Sequence, residues 1–361
     1  MARGLANNGH TVHVVTPDLE HEEQRGSTEY WWGPNAFPAD LDVLVEVHNL
    51  EGLTWAKFNA PILICMTNGI DPWLGDNNEL APLVDGWPCF SQCHVDLLTA
   101  QRPVDKEKCF VTGLGVDPAN YTAPELSQRV FMIEAKRQHG LDPDGWKMPG
   151  RLFFGNDPAR GLWHVLDIYD RLAVAEKSLH IGYDFYKQLE ARRWQATATA
   201  ELLWECKRRI ETTVGVVSLG NLSQSDLVRE ELECQVHAMP SDPPNLGSQI
   251  HGITQMECAA AGAALVLSDT EAFPEIFGGA ATILPLPGTY LPEHNRRYDA
   301  QDWAEVIEEL MKDPAKLREA SHCARALAEQ HTWAKVVENW EKMLEVLALK
   351  ALGEKAEALV S

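Results

Sequence analysis

The strongest constraint on this chain is a rhythm. Short apolar runs of strand length alternate with longer amphipathic segments along most of its length. In the first third the runs are TVHVVT (11–16), DVLVEV (42–47), PILICM (61–66) and KCFVTG (108–113). Later ones are RLFFG (151–155), SLHIGY (178–183), VGVVSLG (214–220), CQVHAM (234–239), AALVLSD (263–269) and ATILP (281–285). Between them lie helical patterns such as LWHVLDIYDRLAVAEK (162–177) and LEARRWQATATAELLWECKRRIE (189–211). Strands that alternate with helices form parallel sheets with helices on both faces.

There are too many strands here, over too many residues, for one sheet. A length of 361 residues also favours two domains. The seam is expected around GVDPANYTAPELSQ (115–128), which is rich in turn formers, followed by a helical pattern over 129–139. We therefore expect two doubly wound α/β domains facing each other across a cleft. Their spans are 1–122 and 123–334, with a terminal helix (335–361) returning to the first. Ligands of such sheets bind outside the carboxyl ends of the strands. From Ala300 onward the chain reads as helical and charged, with Trp303, Trp333 and Trp340 as apolar anchors.

Formal net charge is −22. This argues against a nucleic-acid partner, because phosphate contacts need a basic surface. It also argues against a broad basic face on an anionic membrane. One focused cation site for a small phosphate ligand remains compatible. No run of eighteen apolar residues is present, so no integral membrane segment is expected. The start, MARGLANNGH, lacks the apolar core of a secretion signal. Eight cysteines have no framework spacing, and Cys89 and Cys93 have no second pair at metal-ligand distance. They read as free thiols in a reducing cytoplasm.

One segment carries more chemistry than the rest: SQIHGITQMECAAAGAALVLSD (248–269). Glu257 is its one acidic residue before Asp269, in a helix of small side chains that closes at Gly262 before a buried strand. A carboxylate is costly to bury without a partner. On residue type alone, Glu257 is either a ligand-binding carboxylate or a helix-start carboxylate bonded to backbone amides. Arg160 sits after a strand and just before a helix. It is either a fork for two phosphate oxygens, aided by the helix N-terminus, or one end of an interdomain ion pair.

Six segments together resemble retaining glycosyltransferases of family four, which have the GT-B fold of two Rossmann-like domains. GNDPARGLWHVLDIYDRL (155–172) is similar to the family's strand, Lys-Gly or Arg-Gly loop and long helix. VVSLGNLSQSDLVREELECQVHAMPS (216–241) resembles its strand, glycine turn, helix, strand and Pro-Ser. HGITQMECAAAGAALVLSDTEAFPEIFGG (251–279) resembles its E-A-x-A-x-G-x-P-V-V helix and following loop. LANNGHTVHVVTP (5–17), CFSQCHVDLLTAQRPVDKEKCFVTGLGVDPANY (89–121) and HTWAKVVENWEKML (331–344) resemble first-domain and closing segments. The pieces cover most of the chain in the family's order. Two departures stand out. The family's opening strand and glycine-rich loop are absent, so the first domain reads as truncated at its N-terminus. Of the family's two glutamates with seven residues between them, Glu257 matches the second, and Gln249 stands where the first would be.

The resemblance implies a hexosyltransferase-type enzyme that moves a sugar, with retention, from a nucleotide sugar to an unknown sugar, glycan or small-molecule acceptor. No cofactor and no metal are implied, since arginine and helix dipoles neutralise the pyrophosphate. Arg160 and Gly161 would meet the phosphates. Ile250, His251 and Gly252 would offer backbone N–H groups to the β-phosphate or sugar, and Glu257 would grip the ribose. Gly220 lies in the turn that would hold the base. His48, after DVLVEV, would touch the donor sugar or is a histidine satisfied at a strand end, and Gln249 replaces a sugar-side carboxylate. Glu275 matches a loop glutamate that is structural or functional. The alternative is a weakened or inactive relative that binds a nucleotide sugar or a partner. A nicotinamide oxidoreductase fits poorly, because GLGVDP has two of the three fingerprint glycines and then Pro118.

Overall fold

The computed structural model describes residues 1–16, 23–25, 28–32, 41–47, 60–67, 79–121, 147–192, 198–242, 250–292 and 296–360. The chain divides into two compact units. One comprises Met1–Gly115 with His331–Ser361, the other Val116–Gln330.

The first unit opens with helix α1 (Ala2–Asn7), then β1 (Val12–Thr16), β2 (Glu23–Arg25), β3 (Thr28–Trp32), β4 (Val43–Val47) and β5 (Ile62–Met66). It continues with β6 (Trp87–Cys89), helix α2 (Gln92–Gln101) and β7 (Cys109–Val111). β1 pairs with β3, β4 with β5 and β6 with β7, all in parallel, while β2 runs antiparallel to β3. A bridge between Ile64 and Gly86 leads from β5 towards β6. Helix α2 starts at Ser91, whose side chain accepts the His94 N–H. The His94 ring is buried: Nδ1 accepts the Phe90 N–H at 3.2 Å and Nε2 faces Thr67 Oγ1 at 3.3 Å. Burial holds this imidazole neutral, pushing it down to about 4.

The C-terminal helix (Trp333–Val360) returns to this unit, packing Val336, Trp340, Met343 and Leu347 against Leu5, Ile62 and Ile64. Trp340 is a buried anchor there, and Trp303 is fully buried in the second unit, its Nε1 donating to Pro285 O at 2.9 Å. Trp333 departs from expectation: as the first residue of its helix it is 38% exposed.

The second unit holds β8 (Arg151–Phe154), α3 (Leu162–Arg171), β9 (Ser178–Ile181), α4 (Phe185–Arg192), α5 (Ala198–Thr212), β10 (Val216–Ser218), α6 (Gln224–Glu233) and β11 (Val236–Met239). Then come α7 (Ile253–Ala260), β12 (Ala264–Ser268), α8 (Phe273–Phe277), β13 (Thr282–Leu284), a small β14–β15 hairpin (Tyr290–Leu291 with Arg296–Arg297), α9 (Ala300–Lys312) and α10 (Pro314–Gln330). β8 to β13 form one parallel sheet in the order β10-β9-β8-β11-β12-β13. Every residue of β11 and β12 is buried, and their sequences are apolar apart from His237 and Ser268, which are hydrogen-bonded inside.

The helix expected over 162–177 stops at Arg171, because Leu172 turns to an extended backbone. Lys177 then donates to the Tyr169 and Leu172 carbonyls at 2.6 and 2.8 Å, closing the helix end with a cation. The single helix expected over 189–211 is two helices, α4 and α5, with residues 193–197 outside the described set; so is the helical pattern over 129–139. Among the described residues no helix is long and apolar enough to cross a membrane.

Candidate functional site

In the second unit β9 lies on one side of β8 and β11 on the other, so consecutive connections leave the sheet in opposite directions. Numbered from β8, the order is 3-2-1-4-5-6, that of dinucleotide-binding sheets. Such an order opens a crevice beyond the carboxyl ends of its two central strands, here β8 and β11.

The loop after β8 forms one wall. Asp157 accepts the Ala159 N–H at 3.0 Å and starts a 3₁₀ turn over Pro158–Arg160. Asn156 Nδ2 reaches Met239 Sδ at 3.4 Å. Gly161 follows with φ 115°, and a Cβ there would sit 2.3 Å from Pro240 O at the end of β11. Only glycine permits both that backbone and that approach. Arg160 is thereby held at the mouth of the crevice, half-buried. Its guanidinium has no hydrogen bond or ion pair among the described residues, so the ion-pair reading has no support there.

The second wall follows β11. Pro240, Ser241 and Asp242 leave the strand, and the chain is described again from Ile250. Ile250 and His251 are buried, and Gly252 begins α7, pressed between Gln255 Oε1 and the Phe273 ring. Beneath it runs a buried polar chain. His237, kept neutral by burial at about 4, meets Phe153 O through Nδ1 (3.0 Å) and Gln255 Nε2 through Nε2 (3.3 Å). With the proton on Nδ1, His237 donates to the carbonyl and accepts from the Gln255 amide. Beside it Ser268 Oγ receives the Ser241 N–H at 3.0 Å and contacts Thr270 Oγ1 at 2.8 Å.

Some helices carry side-chain caps and others, α1 and α8 among them, do not. Ser91, Ser223 and Asp299 cap α2, α6 and α9 with side-chain oxygens. α3 and α7 start instead at Gly161 and Gly252, with no side-chain cap. No cap side chain takes their first N–H groups, the kind of donors that suit an anion.

Glu257 is the fifth residue of α7, about 7 Å along the axis from its start. It is too far in to bond the first-turn amides, and its carboxylate has no hydrogen bond among the described residues. Burial pushes it up to about 7. Next to it, on α6, lies Glu231, fully buried, with Tyr121 and Lys147 close by. Lys147 Nζ donates to carbonyls, Ala261 O at 2.9 Å and Glu231 O at 3.4 Å. Sequence reasoning missed Glu231 and Tyr121, and also His164, whose Nε2 stands 3.9 Å from Asp242 Oδ2 on the crevice wall.

The remaining expected residues scatter. Gly220 turns the chain after β10, two strands from β8 at the sheet edge, roughly 10 Å away at normal strand spacing. Glu275 is exposed on α8. His48 and Gln249 lie outside the described residues. Among the described residues, no three of His, Cys, Asp and Glu gather as metal ligands.

No protein-family model matches this chain, and no curated protein does. Solved structures do match. A sucrose-phosphate synthase from Thermosynechococcus elongatus superposes with TM-score 0.68 at 14% identity, over 96% of this chain and 92% of that one. WaaG, a glycosyltransferase involved in lipopolysaccharide biosynthesis, gives 0.58 at 13% identity over 95% and 92%. HepE of Anabaena, in complex with UDP and glucose, gives 0.57 at 17% identity over 82% and 74%. At these identities the likeness is one of fold: a GT-B architecture with two Rossmann-like units.

Proposed function

We propose that the chain is a hexosyltransferase-type glycosyltransferase that moves a sugar, with retention and without a metal, from a nucleotide sugar to a sugar, glycan or small-molecule acceptor. The second unit takes the donor, the first unit serves the acceptor side, and the protein works in the cytoplasm, where its eight cysteines stay free thiols. The observation that carries the reading is Arg160 at the switch point, its guanidinium without a partner among the described residues, next to two helix starts without side-chain caps.

A diphosphate fits that arrangement. Arg160 offers a planar fork to two phosphate oxygens, and the N–H groups at the starts of α3 and α7 add dipoles worth about 0.3–1 kcal/mol each. Charge grows on the leaving phosphate as the glycosidic bond breaks, so these donors favour the transition state over the ground state. Glu257 accepts the two ribose hydroxyls, each such bond contributing about 1.5–3 kcal/mol. The turn at Gly220 holds the base, and the Ile250–Gly252 backbone meets the β-phosphate or sugar. His48 and Gln249 complete the sugar side. The acceptor oxygen attacks the anomeric carbon on the face the nucleoside diphosphate leaves, and its proton passes to the departing phosphate oxygen. The acidic surface keeps nucleic acids away.

Transfer and hydrolysis of UDP-, GDP-, ADP- and dTDP-sugars test this. At least one should turn over, UDP-glucose first, given the nucleotide in the HepE structure. Arg160→Ala should weaken the matching nucleoside diphosphate by at least about tenfold and leave the bare nucleoside nearly unchanged. No turnover of any donor, or equal losses for diphosphate and nucleoside, would overturn the proposal.

A further inference from the structure

The pairing of Glu231 with Glu257 has no role in the reading above. Glu231 projects from α6 into the space between α6, α7 and the turn Pro118–Tyr121, and it is fully buried. Buried carboxyls are normally hydrogen-bonded or ion-paired. Neither oxygen of Glu231 has a well-formed hydrogen bond, although the Tyr121 phenol stands within reach. The cation nearby, Lys147, directs its Nζ to two backbone carbonyls. Tyr121 and Lys147 therefore offset less of its charge than burial and Glu257 cost.

Among the described residues no other cation offsets the Glu257 charge, and burial alone raises its carboxyl. On its own helix lies Cys258, kept protonated by burial, and α6 adds Glu231 together with Cys234 at its end. Strand β11 presents the neutral His237, bonded through Gln255. From α10, Ser321 and Arg325 go to the Gly262 and Ala261 carbonyls at 2.7 and 3.5 Å. Glu230 and Glu233 on α6 are engaged by His180 and Arg151. Two carboxyls so placed repel when both are ionised, so the pair holds a proton between its members. The more deeply buried one keeps it.

We propose that Glu231 is the positioning residue of Glu257: it stays a neutral acid, and its O–H dipole stabilises the Glu257 carboxylate, so that the pair meets a ribose diol with a single negative charge. The role in binding rests on the nucleotide reading above; the proton assignment does not. Burial and the Glu257 charge both push the Glu231 carboxyl well above the ordinary range, whereas Glu257 is raised only to about 7.

Infrared titration of the full chain without nucleotide tests the assignment. Two neutral-carboxyl bands are expected at mildly acid pH. One titrates near 7 and is lost in Glu257→Gln. The other persists to higher pH than the first and is lost in Glu231→Gln. In Glu231→Leu, which has no dipole to offer, the first midpoint rises by at least about half a unit; in Glu231→Gln, whose amide keeps a donor, it stays. UDP binding, or that of GDP or ADP if they bind better, should weaken about tenfold from about pH 8 to about pH 6 and follow the same midpoints. A wild-type spectrum in which no neutral acid outlasts the Glu257 band, or an unchanged midpoint in Glu231→Leu, would overturn the proposal. Failure of every nucleotide to bind would overturn the role in binding, while the infrared arms still decide where the proton resides.

Discussion

A carboxylate in a half-buried place with no cation to pair with is a cost that a fold has reason to remove, and among the described residues Glu257 is in such a place. Its raised value, about 7, means the folded chain holds a proton there that the unfolded chain releases near 4.5. Between those values the native state binds more protons than the unfolded state, so this group's contribution to stability falls as pH rises from about 4.5 to about 7. Above that range the ionised carboxylate costs about 3 kcal/mol. Glu257→Gln should therefore leave the urea midpoint unchanged at about pH 4.5, where the protonated acid and the amide are near-isosteres, and raise it at about pH 8. The same change should weaken nucleotide binding. Equal effects at both pH values would show that burial is not what raises this carboxyl. Glu257 was legible in the sequence because it stood alone among alanines. Glu231 was not, because LVREELE reads as a solvated charge run. The signal was nonetheless present: Glu231 lies one helical turn, four residues, after Leu227, on the same face of α6.

At the scale of elements, apolar runs mark strands well and boundaries poorly. All ten runs are strands, though of them only β11 and β12 are buried at every residue; the others keep apolar sequence with at least one face partly covered. β2 (EQR), β6 (WPC) and the two-residue β14 and β15 escaped because two or three residues give no period, β6 also because a proline argues against a strand; β3 (TEYWW) escaped with them. The α3 end escaped because Leu172 and Ala173 continue the helical pattern, and only the Lys177 contacts reveal the stop. The Arg160–Gly161 turn was legible as a dipeptide, but its constraint is tertiary: the carbonyl of Pro240, eighty residues away in sequence, fills the space a side chain would need. That difference can be measured. Gly220 also has a left-handed backbone (φ 69°), but its Cβ position is open. Gly220→Ala should cost only the conformational term, about 1 kcal/mol, whereas Gly161→Ala should cost at least about 2 kcal/mol and shift Arg160 enough to weaken diphosphate binding. Chemical denaturation of both variants gives the comparison, and equal losses would mean that the contact with Pro240 is not tight.

For the molecule as a whole, charge and site pull in opposite directions. A net charge of −22 repels an anionic nucleotide at long range, whereas in the proposed site Arg160 and the α3 and α7 starts would attract it at contact. The two effects act over different distances, and salt separates them. The Debye length falls from about 30 Å at about 0.01 M salt to about 8 Å at about 0.15 M, so added salt removes the distant repulsion first. The contact term is partly buried and is screened less. Association of UDP should therefore speed up between these concentrations, contrary to the slowing expected of a protein whose surface steers anions inward. Stopped-flow measurement at a few salt concentrations reads the slope. An association rate that falls with salt would mean that positive potential extends well beyond Arg160. The acidic surface would then not be the field an approaching nucleotide meets, and the guanidinium would act with a wider basic patch instead of alone.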